Sequence, residues 1–196
     1  MTDTSPPPER VRFTDMGLSA EALAGVQALG YEFATPVQAT VYSKALTGRD
    51  LMVQSKTGTG KTTAFGLPLI ERVRMEGGTD PQALILCPTR ELAVQVSEEL
   101  AELGDPKGVR VLPIYGGAPM APQLKSLKAG CDVVVGTPGR VLDHIRRRTL
   151  RLVHTHMAVL DEADEMLSMG FWEDVTAILD QIPDERQTLL FSATLP

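Results

Sequence analysis

Two short stretches of this 196-residue chain combine residue types that handle phosphate. The first is Ser55-Lys56-Thr57-Gly58-Thr59-Gly60-Lys61-Thr62. Glycines at 58 and 60 let successive backbone N–H groups turn toward one anion. Lys61 can reach the β- and γ-phosphates of a nucleotide, and the Thr62 hydroxyl can sit on Mg²⁺. The strict phosphate-loop pattern asks for Gly where Ser55 stands, and an ordinary glycine turn is the plain alternative. The second stretch is Asp161-Glu162-Ala163-Asp164. Asp161 follows an apolar run, where an NTPase places the acid that holds Mg²⁺. Glu162 can orient or deprotonate an attacking water, and Asp164 can serve a structural or coupling partner. The plain alternative here is an acidic helix start favoured by the helix dipole.

Positioning these groups falls to the elements around them. Residues 50–54 read as a buried strand before the loop, and 63–73 as the helix after it, which is the context a phosphate loop requires. Upstream, residues 19–29 form a helix capped by Ser19. Thr35-Pro36-Val37-Gln38 opens another, with Thr35 as cap, Pro36 in the first turn and Gln38 at the capping-box position. Downstream, strands at 83–87, 109–114, 132–135, 157–160 and 187–191 alternate with helices at 91–103, 123–128, 140–148 and 171–181. Unbroken apolar strands alternating with amphipathic helices predict an α/β fold, a mostly parallel sheet with helices on both faces. Ligands of such a sheet sit at the carboxyl ends of the strands. Those ends carry Pro88-Thr89-Arg90-Glu91-Leu92, Gly116-Gly117, Gly136-Thr137-Pro138-Gly139-Arg140 and Ser192-Ala193-Thr194 besides the two stretches above. All would converge on one edge.

Composition bounds the rest. Hydrophobic residues make up 43% of the chain, enough for a real core, and no apolar run approaches the roughly 18 residues of a membrane span. Residues 1–12, polar and containing Pro6-Pro7-Pro8, are expected to form a flexible tail without a secretory signal. Cys87 and Cys131 are too few for a disulfide framework and read as buried free thiols of a cytoplasmic protein. The net charge of −6 argues, taken alone, against nucleic acid; contacts made by backbone amides, helix N-termini and a few arginines weaken that objection. Met166 and Met169 are expected in the core, Arg146-Arg147-Arg148 reads as a solvated helix end, and Trp172 has no assigned role.

From about Phe13 onward the ordered series of motifs resembles the DEAD-box ATP-dependent RNA helicases. The likeness rests on residues 30–38, 55–62, 88–92, Gly116-Gly117, 137–140, 161–164 and 192–194. Two positions depart from it: Ser55, where the family usually has Ala, and Ala34, where it often has Pro. The resemblance implies a RecA-like P-loop NTPase domain over residues 13–196 that binds ATP and Mg²⁺, with metal held at Thr62 and Asp161 and catalysis by Lys61, Asp161 and Glu162. It implies that Gln38 reads adenine, that Phe13 stacks on the base, and that residues 55–62 hold the phosphates. Thr89, Arg90, Gly117, Thr137, Gly139 and Arg140 match positions that grip an RNA backbone without regard to sequence. Asp164, Ser192 and Thr194 match positions that couple hydrolysis to strand separation. It further implies a second domain of the same fold after Pro196, which completes the ATP site with arginine fingers and closes the RNA cleft, while the domain alone is monomeric and nearly inactive. A non-helicase P-loop ATPase such as a DNA translocase is the first rival, against which Gln38 and residues 161–164 count. An RNA clamp without turnover is the second, against which the intact Lys61, Asp161 and Glu162 count.

Overall fold

The computed structural model describes residues 10–56, 58–75 and 78–194. The Pro-rich segment at 6–8 and Thr57 of the loop lie outside them. Six strands form one parallel sheet: β1 Leu51–Gln54, β2 Ala83–Leu86, β3 Val111–Ile114, β4 Val133–Gly136, β5 Met157–Leu160 and β6 Gln187–Ser192, in the order β1-β6-β5-β2-β4-β3. Every neighbouring pair is parallel. The helices are α1 Ala20–Ala28, α2 Pro36–Ala45, α3 Lys61–Arg72, α4 Arg90–Gly104, α5 Met120–Ala129, α6 Pro138–Arg146, α7 Ala163–Ser168 and α8 Trp172–Leu179.

The alternation of side chains along each strand divides the core in two. Ile85, Val133, Val135, Val159, Leu189 and Phe191 face one side, where they meet Val26, Val41, Phe65, Leu69, Val96 and Leu100 from α1 to α4. Leu84, Leu86, Val134, Ala158 and Leu160 face the other, against Leu127, Val141, Met166 and Ile178 from α5 to α8. Both cysteines are buried free thiols, and among the described residues no helix is long and apolar enough to cross a membrane.

Several expectations need correction. The strand at 50–54 is an edge strand, not a buried one: burial alternates along it, and Met52 is 62% exposed. The opposite edge is β3, and it contains Pro113, a residue that supplies no N–H and is tolerated on a sheet only at its rim. Met166 is buried, but Met169, at the end of α7, is exposed. The acidic stretch opens a separate short helix, α7, as its plain alternative had it, so the helix start and the candidate chemistry coincide. Residues 10–12 are tied down: Ala34 N donates to Val11 O at 2.8 Å, and the Arg12 guanidinium lies 4.6 Å above the Phe33 ring.

At the amino-terminal end of the sheet Asp132 fastens β3 to β4. Its Oδ2 accepts from Arg110 N (2.8 Å) and Nε (3.0 Å), and its Oδ1 from the Arg110 guanidinium at 2.9 Å. Burial alone would raise its pKa, but these bonds win and hold the carboxyl below its ordinary range.

Candidate active site at the carboxyl edge

The phosphate loop leaves β1 still tied to the sheet, since Ser55 N donates to Ser192 O at 2.9 Å. Gly58 and Gly60 adopt φ of +76° and +79°. Gly60 is required twice over: a Cβ there would also lie 2.4 Å from Gln38 Nε2. It begins α3, whose N-terminus no side chain caps, a state shared with α5 to α8, whereas Ser19, Thr35 and Thr89 cap α1, α2 and α4. An uncapped helix N-terminus beneath a glycine loop is left for an anion. Within the loop Thr59 Oγ1 donates to Lys56 O (2.9 Å), and the Ser55 and Thr59 hydroxyls meet.

Lys61 and Thr62 are each 8% exposed. Lys61 Nζ lies 3.3 Å from Asp161 Oδ1 and 3.7 Å from Glu162 Oε1. Asp161 is held at the strand end because its N donates to Leu86 O at 2.9 Å. Desolvation raises its pKa against the pull of Lys61. Desolvation also raises that of Glu162, again opposed by Lys61 and reinforced by the Asp161 charge. Glu162 has φ +53°, a left-handed conformation that costs a non-glycine residue of order 1 kcal/mol. That bend separates β5 from α7 and turns Glu162 back toward Lys61. Beneath the acids, burial pushes the Cys87 thiol well up, with Asp161 and Glu162 adding to the effect. Among the described residues no three His, Cys, Asp or Glu side chains cluster as metal ligands. The donors present, a threonine hydroxyl and one strand-end carboxylate, are hard oxygens of the kind Mg²⁺ accepts when substrate phosphates complete its shell.

Gln38 is 3% exposed and its amide is engaged at both ends. Oε1 accepts from Thr35 N (2.8 Å), while Gln38 N donates to Thr35 Oγ1 (3.4 Å), completing the capping box. Its Nε2 donates to Gly60 O at 3.2 Å. Thr35 Oγ1 donates to Thr59 O at 3.1 Å, so α2 and the loop are stitched by two side chains. Phe13 does not fit the role of a base-stacking residue here. It is 1% exposed and packed in the core, with no ring face free. A cavity of about 480 Å³ opens beside the loop, bounded by Thr35, Val37, Gln54, Lys56 and Thr59. A larger cavity, about 790 Å³, lies at the opposite end of the strands among Arg72, Arg74 and His156, and contains none of these groups.

The residues expected to meet RNA gather beyond β2 and β4. Arg90 stacks 4.9 Å above the Tyr115 ring, and its NH1 is 4.0 Å from where a Cβ on Gly117 would stand. Gly117 has φ +73°. Gly116 N donates to Thr137 Oγ1 (3.4 Å), and Thr89 Oγ1 accepts from Leu92 N (3.2 Å). Arg140 NH1 donates to Ala118 O (3.0 Å) and Gln123 Oε1 (3.3 Å). A Cβ on Gly139 would meet only Asp174 Oδ2, at 3.9 Å. The third group is also assembled: Asp164 Oδ2 accepts from Thr194 N (3.0 Å) and Oγ1 (2.9 Å), and the Ser192 hydroxyl donates to Thr194 O. Tyr115, Gln123 and His144 belong to this edge without having been singled out by spacing. Their partners are distant in sequence.

Comparison with known proteins agrees with this geometry. A family model described as DEAD/DEAH box helicase matches residues 35–196. The DEAD-box ATP-dependent RNA helicase CshA of Geobacillus kaustophilus is 55% identical over 184 residues, covering 94% of this chain and 39% of that protein. The Bacillus subtilis protein of the same name is 50% identical over 95% of this chain and 37% of its own length. Among solved structures, a DEAD box protein from the hyperthermophile Methanococcus jannaschii superposes with a TM-score of 0.89 at 44% identity, covering 96% of this chain and 52% of that one. The chain thus spans well under two thirds of these relatives. Its fold, its strand-end motifs and its identity to these proteins agree: the chain belongs to the DEAD/DEAH box helicase family.

Proposed function

We propose that this chain is the nucleotide-binding half of a cytoplasmic ATP-dependent RNA helicase, acting with a second domain of the same protein. The observation that carries the reading is adjacency. Buried Lys61 and Asp161 and the half-buried Glu162 form one cluster, and the Arg90–Gly117–Thr137–Arg140 face lies on the same edge of the same sheet. Nucleotide chemistry and an RNA grip therefore share a rigid support. The two buried free thiols accord with a reducing compartment.

In this reading Lys61 exchanges its carboxylate partners for the β- and γ-phosphates, while the uncapped start of α3 receives their charge. Thr62 and Asp161 are the residues that would hold Mg²⁺, which supplies charge neutralisation of the phosphates when bound. Glu162, freed from Lys61, orients the attacking water, and its raised pKa suits a proton acceptor. Gln38 gives one N–H to Gly60 O and one lone pair to Thr35 N, and its second N–H and second lone pair are the donor and acceptor it can offer adenine. Arg90, Thr137 and Arg140 hold phosphodiester oxygens irrespective of sequence.

The test joins the chain covalently to the C-terminal remainder of a CshA relative and measures steady-state ATP hydrolysis with and without RNA. RNA-stimulated turnover in the joined protein, with the chain alone slower by about 10³–10⁵-fold for want of opposing arginines, is the expected result. Calorimetry with ADP and GDP should favour ADP, and Gln38→Ala should erase the preference. Absence of RNA stimulation in the joined protein would overturn the reading.

A further inference from the structure

Arg140 does not sit loosely at the edge; a buried chain of side chains stands behind it. Gln123 of α5 is 7% exposed, and His144 of α6 is wholly buried. Gln123 Oε1 accepts from Arg140 NH1 (3.3 Å) and lies 3.1 Å from His144 Nε2, while Gln123 Nε2 donates to Tyr115 O at 3.1 Å. On the far side of the ring, His144 Nδ1 lies 2.9 Å from Thr149 Oγ1.

The chemistry of these groups leaves one arrangement. A guanidinium only donates, so the atom of Gln123 facing Arg140 must be the carbonyl oxygen. That oxygen cannot donate to His144, so Nε2 must carry the ring proton. Nδ1 of the neutral ring is then the acceptor of the Thr149 hydroxyl, which also lies 3.0 Å from His144 O; that carbonyl already accepts from Thr149 N, so the one hydroxyl proton goes to Nδ1. Burial, with the Arg140 and Arg147 charges, holds the His144 pKa below its ordinary range, against the pull of Asp143, so the ring is neutral at pH 7. Every polar atom of the Gln123 side chain is thereby directed, and its amide cannot flip without facing donor to donor.

We propose that His144 is a positioning residue for the RNA-facing loops: through Gln123 it fixes the Arg140 guanidinium and the turn from Tyr115 to Ala118, so that a phosphodiester strand meets a pre-set donor. This deepens the reading of Arg140 as an RNA contact and rests on it. Arg140 NH1 is also bound to Ala118 O, directly after Gly116-Gly117, so one guanidinium ties α6 to the glycine turn. Without the His144 proton, the Gln123 amide is held only by Tyr115 O and Arg140, and the acceptor that fixes the guanidinium loses one of its three anchors. A donor ordered in advance binds phosphate more tightly than one that must be ordered on binding.

The experiment uses the 196-residue chain with fluorescence anisotropy of a short labelled single-stranded RNA, ADP calorimetry as a control of fold, and ¹⁵N–¹H spectra of the arginine and histidine side chains. His144→Leu should weaken RNA binding by about tenfold, the loss of an oriented charge-assisted contact, leave ADP affinity unchanged, and broaden or shift the Arg140 guanidinium signals. His144→Gln places an amide N–H where Nε2–H was and should recover RNA affinity to within about threefold. Gln123→Met should match His144→Leu, and the double variant should add little. The wild-type histidine should show the Nε2–H tautomer. Unaltered Arg140 signals in His144→Leu would overturn the positioning role whatever RNA does, as would RNA affinity equal to wild type, or a His144→Gln variant as weak as His144→Leu. If His144→Leu does not fold, His144→Gln and Gln123→Met decide by the same criteria. Arg140→Ala separates the two layers. No loss of RNA affinity on Arg140→Ala overturns the RNA reading of this face. A loss there with none in Gln123→Met overturns only the role of the network.

Discussion

Two buried aspartates, one at each end of the strands, show how the same side chain is used for opposite purposes. Asp132 immediately precedes β4 and is 4% exposed; Asp161 immediately follows β5 and is 2% exposed. Each faces a cation. Asp132 receives three hydrogen bonds from Arg110, one of them from its backbone, and its pKa is lowered despite burial. Asp161 has a single ammonium at 3.3 Å and the Glu162 N–H at 3.0 Å, and desolvation prevails to raise its pKa. A carboxylate that serves the fold is saturated with donors. Asp161, which serves a ligand in the proposed function, is left short of them, and the deficit is what an incoming cation or donor would relieve.

The largest expected effect that tests this contrast is on turnover. In the joined two-domain protein Glu162→Gln, next to Asp161, should lower RNA-stimulated hydrolysis by about 10²–10⁴-fold, whereas Asp132→Asn should leave it within about twofold in steady-state assays. A comparable loss in both would erase the distinction.

Stability should reverse the order. Asp132→Asn removes the charge and replaces one of the two oxygens facing the guanidinium by an amide donor, and should cost about 1–3 kcal/mol at pH 7 in chemical denaturation. The folded pKa of Asp132 is depressed, so this stabilisation is complete above the unfolded pKa of about 4 and is lost as pH falls through the folded value. The difference in melting temperature between wild type and Asp132→Asn should therefore close on acidification below about pH 4; a gap constant with pH would show that packing and not charge is responsible.

Gln38 stands between the two cases, since its amide both caps α2 and holds the loop. Gln38→Ala should cost about 0.5–2 kcal/mol without nucleotide. Gln38→Glu retains the acceptor for Thr35 N but loses the donor to Gly60 O, and should cost less. Identical thermal melts for all three proteins would remove the capping role. The smallest effect is expected at the proposed catalytic edge: Asp161→Asn relieves a poorly compensated charge and should change stability by less than about 1 kcal/mol. A cost exceeding that of Asp132→Asn would break the comparison.

The local parts of this architecture were legible in the sequence. Gly58, Gly60 and Lys61 between a strand and a helix announce a phosphate loop because all of its geometry is made within a few residues. Thr35, Pro36 and Gln38 announce a capped helix for the same reason, and the cap is present. What required distant partners was not legible. Phe13 offers no periodic signal of its burial, and its ring is enclosed by the core. The run at 50–54 is apolar enough for a central strand, yet the strand order places it at the rim. At residues 163–168 the acids read equally as chemistry or as a helix start, and what the sequence did not disclose is the left-handed turn at Glu162 that separates this helix from its strand. The link from Arg140 through Gln123 to His144 joins residues 17 and 21 positions apart on different helices, for which no spacing rule exists.

The rims of the sheet also differ in how they would meet the backbone of a second molecule. At β3, Pro113 interrupts the row of donors, so an extended segment cannot zip along it. At β1 no proline intervenes, and Met52 offers an exposed thioether beside a strand only four residues long. Brevity is its chief protection against templated growth. Unwanted polymerisation at high concentration should therefore begin along β1, and a charged residue at position 52 is the first change toward a more soluble protein.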